Sequence, residues 1–357
     1  MKMLSRDYKV ITVRPSNAPE WLELLDSYKG DIFHSPAWID LLSKTYDFDI
    51  RASILLDSDG KVVAGLPYVC LSDIRGHRAS SLPFCDFMDP LIRTREQWDC
   101  LAEEIISQNL SYKIRPLHEQ IPLLDERFEV VNRARWHGLD LMLDVDKIWS
   151  GFHKSARTGV RKARKSEVKI RVAETEEDLR AFFDMHLGIR KNKYRLVAQP
   201  YQFFQHIWDQ FIISKNGQLI LAEHNDEVIA GMIFLRYKDT LYYKFSASVP
   251  TRLSVNPNEL LMWEGIQYGK KIGCSYLDFG LSDWDQDGLN FFKRKFAKDE
   301  KVISFLQYTP VEQGSISQEM NRYANELLPK LTELFTDESV PSHITEQAGS
   351  LLYKYFS

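Results

Sequence analysis

The feature that most constrains this chain is an internal resemblance. Ile54–Leu71 reads ILLDSDGKVVAGLPYVCL, and Ile220–Tyr237 reads ILAEHNDEVIAGMIFLRY. Laid together without a gap, Ile, Leu, Val, Ala and Gly recur at the same places, and most other positions are conservative swaps. Each copy reads as strand, tight turn, strand. The turn is Asp59-Gly60 in the first copy and Asn225-Asp226 in the second, residue types that tolerate positive φ. A hairpin alone is a common object. Here each copy follows helical segments and precedes further strands, a helix and another strand. A chain built this way is expected to fold as two related α/β halves, and 357 residues is an ordinary length for two domains.

The first half is expected to run to about Val145. Helices are expected at Trp21–Tyr28, Pro36–Tyr46 and Thr94–Asn109. Strands are expected at Ile50–Leu56, Val62–Leu71 and Tyr112–Arg115, with Phe128–Asn132 and Leu139–Leu143 as a closing pair. The second half begins near Asp146. One basic helix is expected over Ile148–Ser166, then a strand at Val168–Val172. Helices follow at Glu176–Lys193 and Pro200–Ile213. Strands are read at Gln218–Glu223, Val228–Arg236 and Thr240–Ser246. The helix Pro257–Lys271 opens on a proline and stops at Gly273. Then come strand Tyr276–Phe279, helix Leu289–Phe296 and strand Val302–Leu306. Residues 313–357 read as a tail of two or three helices.

Composition excludes several classes. The formal net charge is −4, so no global basic field points to nucleic acid. Cys70, Cys85, Cys100 and Cys274 form no C-x-x-C pair, and a reduced, cytoplasmic setting is expected. No apolar run is long enough to span a membrane, which leaves room for peripheral membrane contact. No G-x-S-x-G, Walker A or G-x-G-x-x-G occurs.

Three segments carry chemistry. The first is HKSARTGVRKARKSEVKIRV, residues 153–172. Arg157, Arg161, Lys162, Arg164 and Lys165 crowd one stretch of helix whose only apolar residues are Val160 and Ala163. Such a face suits phosphates of a nucleotide-linked substrate or of RNA, although a run of charge is most often a solvated surface.

The second is LDFGLSDWDQDGLNFFKRKFA, residues 277–297. Asp283, Asp285, Asp287 and Gly288 imitate the start of a calcium loop. The position that needs a bidentate glutamate holds Arg294, so no metal is expected. Read as strand, acidic loop and helix, the segment puts Asp278 at a strand's carboxyl end, a usual place for a ligand cleft. It also puts Phe292-Lys293 near a helix start, where a nearby oxyanion would relieve the lysine's conflict with the helix dipole.

The third, residues 244–273, is a strand, a polar loop with Arg252, and a helix whose N-terminus could meet an anion. No glycine cradle precedes that helix.

In this order the three segments resemble the FemAB family, the peptidoglycan-bridge aminoacyltransferases and their acyltransferase relatives. RTGVRKARKSEVKIRVAETEEDL resembles the entry to that family's second domain. YYKFSAS with LLMWEGIQYGKKIGCSYLDFG resembles its strand–helix–strand centre, and GLNFFKRKFAKDEKVISFLQY its closing FK motif. FHSPAWIDLL resembles the family's F-x-Q-S-x-x-W opening, with Ser35 where glutamine is usual. The likeness spans about residues 30–310.

The resemblance implies an α/β (α+β) fold of two tandem GNAT-like domains, each a mixed central sheet flanked by helices, at 1–145 and 146–312, plus the helical tail. It implies an N-acyltransferase that moves an acyl or aminoacyl group to an amine of a cell-envelope or polysaccharide precursor. The donor would be acyl-CoA or aminoacyl-tRNA, a co-substrate rather than a bound cofactor. The acceptor would be a small-molecule or lipid-linked precursor. The family's FK lysine maps onto Lys293, beside the reacting carbonyl, with Phe292 next to it. Asp278 is then a candidate proton acceptor, and Arg157, Arg161, Lys162, Arg252 and Asp283 are candidate substrate contacts. The stretch where acyl-CoA enzymes carry a glycine-containing pyrophosphate loop is Thr251–Asn258, without glycine. The competing expectation is a non-catalytic module on the same scaffold that holds a phosphorylated or RNA partner.

Overall fold

The structure is a computed structural model and describes residues 8–310 and 315–356. Strands are β1 Lys9–Val13, β2 Ile50–Leu56, β3 Val62–Asp73, β4 Gly76–Ser80, β5 Ser111–Ile114, β6 Glu129–Asp140, β7 Lys169–Val172, β8 Gly217–His224, β9 Glu227–Tyr237, β10 Thr240–Ser248, β11 Tyr276–Asp283 and β12 Asp299–Tyr308. Helices are α1 Pro19–Ser27, α2 Pro36–Tyr46, α3 Arg95–Ile106, α4 Val145–Gly151, α5 Lys154–Lys165, α6 Glu176–Asn192, α7 Tyr201–Ile207, α8 Pro257–Lys271, α9 Asp287–Arg294, α10 Ser315–Phe335 and α11 Ser342–Leu352.

The chain forms two compact units. Among the described residues, one comprises residues 8–134, 302–310 and 315–327, and the other residues 135–301 and 328–356. Strands β6 and β12 and helix α10 each pass from one unit into the other, so the units do not follow chain order as 1–145, 146–312 and 313–357.

In the first unit the strand order is β1-β2-β3-β4-β5-β12-β6. All the registered pairs are antiparallel except β4 with β5, which α3 connects. Trp21, Phe33, Trp38, Phe87 and Trp98 fill its core. In the second unit the order is β6-β11-β10-β9-β8-β7, and the parallel pair is β10 with β11, joined by α8. Each unit is thus an antiparallel meander closed by one strand–helix–strand crossover, the mixed sheet expected for tandem GNAT-like domains.

Both expected hairpins form, as β2–β3 and β8–β9. Asn225 and Asp226 both take positive φ in the second turn. The repeated Ala-Gly pair has a packing reason. A Cβ on Gly65 would strike Leu24 and Trp21 of α1, and one on Gly231 would strike Phe182 of α6 and Leu221 of β8. In each unit the missing side chain lets a helix lie directly on the strand.

The structure departs from the sequence reading in particular places. The expected pair Phe128–Asn132 and Leu139–Leu143 is one continuous strand, β6. The expected helix Ile148–Ser166 breaks at Phe152-His153 into α4 and α5, with His153 Nδ1 accepting from Ser155 N to start the second. Strands β1 and β4 were not anticipated. They are short, and β4, GHRAS, has no apolar alternation to reveal it. Helix α5 is better anchored than two apolar residues suggested. Ala156, Gly159, Val160 and Ala163 are all buried, and Gly159 lets the helix approach α8 until a Cβ would lie 2.8 Å from Glu259 Cγ.

Candidate active site

The second unit opens at the end of its parallel pair. Strands β10 and β11 pair only through Thr240–Tyr242 and Tyr276–Asp278. Beyond that, β10 runs on to Ser248 beside β9, with an extra residue between Tyr243 and Phe245 that kinks it. Strand β11 runs on to Asp283 but bends at Gly280, where φ is +67°, a conformation that favours glycine. A cavity of about 540 Å³ fills the gap at these carboxyl ends, where sheets with parallel strands place ligands.

Several elements wall the cavity. Strand β10 supplies Tyr243, Ser246 and Ser248, and β9 supplies Met232. Asn258 comes from the first turn of α8. Ile189 comes from the end of α6, and Lys193 and Tyr194 from the residues just after it. Asp285, Gln286, Asp287, Gly288, Leu289 and Phe292 come from the acidic loop and α9. The walls are therefore part apolar and part hydrogen-bonding, with two carboxylates and one lysine among them. The Tyr243 hydroxyl bonds Ser246 Oγ at 2.6 Å, and burial pushes its phenol up to about 12. It stays a neutral donor at physiological pH. Asn258 Nδ2 donates to Ser248 Oγ at 3.4 Å.

Phe292 lines the cavity, and Lys293 turns inward behind it. Lys293 is 2% exposed. Its ammonium donates to Gly280 O at 3.0 Å and Leu281 O at 2.7 Å. Asp278 is also buried, and its Oδ1 accepts from Gly280 N at 2.6 Å. Two ionisable groups of opposite sign thus grip the same bend of β11. The bend in turn sends the chain into the acidic loop over the cavity. Asn290 Nδ2 donates to Asp283 O and ties α9 to that loop.

The lysine's charge is felt nearby. His137 on β6 is buried, and its pKa falls to about 4, first through burial and then through Lys293. Glu300 lies 3.4 Å from its Nε2. Hydrogen bonds from Arg294 hold Glu300 down near 2, although its partial burial works the other way, and Arg135 adds a further bond. The Asp283 carboxyl is raised, chiefly by partial burial and then by Asp285.

The start of α8 is already supplied with an anion. Glu259, in its first turn, is 8% exposed and pairs with Lys295 Nζ at 2.8 Å. Pro257 removes one of the N–H groups that such a terminus would offer.

Residues 150–294 match the family of acetyltransferase (GNAT) domains. FemX superposes with a TM-score of 0.60 at 13% identity, covering 90% of this chain and all of its own. Residues 150–294 thus form a GNAT-type acetyltransferase domain, and the chain has a FemAB-like fold. L-PGS from Bacillus licheniformis has a TM-score of 0.53 at 12% identity, covering 87% of this chain and 97% of its own. A tandem GNAT protein from the clavulanic acid biosynthesis pathway has the same TM-score at 9% identity, covering 84% and 98%. At these identities the likeness is one of fold. No curated protein matches the sequence.

The residues singled out from sequence fall into three groups. Phe292, Lys293 and Asp278 lie together at the bend of β11, and of these Phe292 lines the cavity. Two positions differ from expectation. Lys293 sits in the last turn of α9, where the helix dipole favours a cation. Asp278 lies within β11, which runs five residues further. Asp283 is exposed at the end of β11, and its neighbours Asp285 and Asp287 are the ones that line the cavity. Arg157, Arg161, Lys162 and Arg252 are not among the lining residues. Arg157 Nη1 donates to Ser150 O, Arg161 lies over the Trp149 ring, and Arg252 pairs with Glu227 at 2.5 Å. Sequence reasoning missed Tyr243, Ser246 and Ser248. The polar alternation in KFSAS was their available signal. Lys193 and Tyr194 had none, because only the packing of α6 brings them to the cavity.

Proposed function

We propose that the cavity between β10 and β11 is where this acyltransferase moves an acyl or aminoacyl group to an amine of a cell-envelope or polysaccharide precursor. The observation that carries the proposal is the cavity itself, at the diverging ends of two parallel strands, walled by hydrogen-bonding groups and a carboxylate pair. The amine nitrogen forms a C–N bond to the donor carbonyl carbon, and the donor's C–O or C–S bond breaks. Tyr243, a neutral hydroxyl held by Ser246, supplies a proton to the leaving oxygen or sulfur. Asp285 or Asp287 draws in the ammonium of the acceptor and takes up the proton the amine gives off. Phe292 packs against the acyl chain. Lys293 and Asp278 position the acidic loop through Gly280, and the lysine adds positive potential beneath the cavity floor.

The carboxylate of Glu259 and the glycine-free approach to α8 oppose a diphosphate at that helix start. They favour an aminoacyl ester over acyl-CoA as donor. Four free cysteines agree with a cytoplasmic reaction. The test is a donor screen with the full chain, acyl-CoAs against charged tRNAs, read by the mass of the acceptor. Tyr243→Phe is expected to lower turnover by about 10²–10⁴ with little change in melting temperature. A Tyr243→Phe enzyme as fast as the parent would remove the phenol from the reaction. Transfer from acyl-CoA alone, or thermal stabilisation by CoA, would overturn the ester preference.

A further inference from the structure

Away from the cavity, the second unit carries a surface that the transfer reaction does not use. Leu141 is buried against Gly269 of α8. The next residues turn outward: Met142 is 74% exposed, Leu143 40% and Val145 41%. This tip also carries exposed Asp144, which pairs with Lys147 at 3.7 Å, and it is built rather than loose. Lys270 Nζ donates to Leu141 O at 2.7 Å and to Leu143 O at 2.6 Å, and Met142 N donates to Asp140 Oδ1 at 2.7 Å. Nothing among the described residues covers it.

The tip leads directly into α4, and α5 lies against α4. Arg157 reaches the Ser150 carbonyl and Arg161 lies over Trp149. Helix α5 holds Lys154, Arg157, Arg161, Lys162, Arg164 and Lys165 and no acidic residue. Among the described residues only Arg164 has an acidic partner, Glu264. A chain of net charge −4 therefore concentrates cations on one helix, beside exposed methionine, leucine and valine. A solvated helix needs no apolar tip next to it, and a nucleic-acid groove would want stacking aromatics there instead. Apolar side chains that enter the acyl boundary, flanked by cations that meet headgroups, are the pattern of an interfacial anchor.

We infer that this face docks on an anionic membrane surface, with Met142, Leu143 and Val145 entering the interface and the cations of α5 facing acidic headgroups. No helix among the described residues is long and apolar enough to cross a membrane, so the contact is peripheral. Its consequence is concrete: a lipid-linked or membrane-adjacent amine would be met at the surface where it resides.

The experiment is co-sedimentation of the full chain with phosphatidylcholine vesicles, with and without phosphatidylglycerol. Binding is expected only with phosphatidylglycerol and should weaken as salt rises. Arg161→Gln with Lys162→Gln is expected to lower partitioning about twenty-five-fold, at about fivefold per cation. Met142→Ser with Leu143→Ser is expected to lower it about tenfold. Both pairs change exposed side chains, and an unchanged melting temperature confirms that they fold. No binding to phosphatidylglycerol vesicles overturns the inference. So does binding to an RNA oligomer but not to vesicles, or a serine pair that binds vesicles as well as the parent.

Discussion

Replacing Lys293 with methionine tests the centre of the site. Methionine keeps most of the side-chain volume, so the loss is mainly the ammonium. That ammonium donates to the carbonyls of Gly280 and Leu281 in a place that is 2% exposed. Each buried acceptor left without a donor costs about 1–3 kcal/mol, so the pair amounts to about 2–6 kcal/mol. Against a total stability of about 5–15 kcal/mol this is large. A melting temperature lower by ~5–15 °C is expected by calorimetry. A second readout does not depend on stability. Lys293 is one of the two main causes that hold His137 near 4, so the histidine should titrate higher in the variant, measured by NMR. The bend of β11 aims the acidic loop, and turnover should fall as well. A Lys293→Met protein with the parent's melting temperature and an unmoved His137 would refute the buried position. Turnover lost while both stay unchanged would mean that the lysine acts directly on the reacting carbonyl.

Buried histidines set the acid limit. His137 and His186 both stay neutral down to about 4 in the folded chain, chiefly through burial. The unfolded chain protonates near 6.5. Between those values the unfolded state binds the extra protons, so stability rises with pH across the window and is lost as pH falls through it. Each histidine contributes at most about 1.4 kcal/mol per pH unit. Denaturant titrations of His186→Gln should show a correspondingly flatter slope between pH 6.5 and 4. Two glycine substitutions should have opposite signs. Gly159→Ala presses on Glu259, whose carboxylate pairs with Lys295, and should destabilise by about 1–3 kcal/mol. Gly188→Ala in α6 meets nothing within 4 Å and should stabilise by about 0.5–1 kcal/mol. Equal melting temperatures for the two variants would contradict the packing of α5 on α8.

What was legible in the sequence follows from what physics writes locally. Helices α2 and α8 begin on prolines and carry apolar faces, and both were read to the residue. Strand β6 was split because its first half, EVVNR, is exposed and its middle holds charge and Trp-His, which carries no strand period. The break between α4 and α5 comes from His153 capping its own helix, a side-chain event that periodicity does not record. At the site, the Phe292-Lys293 pair stood out as a motif. The direction of each side chain did not, because burial of the lysine depends on where β11 bends. The bulge after Tyr243 and the positive φ at Gly280 open the cavity, and both are tertiary facts. The basic residues of α5 drew attention because charge is visible in sequence, although their geometry places them outside the cavity.

The repeat itself shows why the second unit opens at its parallel pair. Both units use a hairpin with Ala-Gly under a helix and then a crossover to a parallel strand. In the first unit β4 ends at Ser80, which is also its last residue paired with β5, and Ser81 N still donates to Lys113 O. The strands have no length left over which to part. In the second unit β10 extends six residues past its last pairing with β11, from Tyr243 to Ser248, and β11 extends five, from Phe279 to Asp283. A bulge turns one strand away and a glycine bend turns the other. Lys293 and Asp278 then hold that bend in place. The duplication thus copied a scaffold whose parallel pair is closed in one unit and open in the other. Strand length beyond the last shared hydrogen bonds, more than any single residue, distinguishes the unit whose parallel strands part around a cavity.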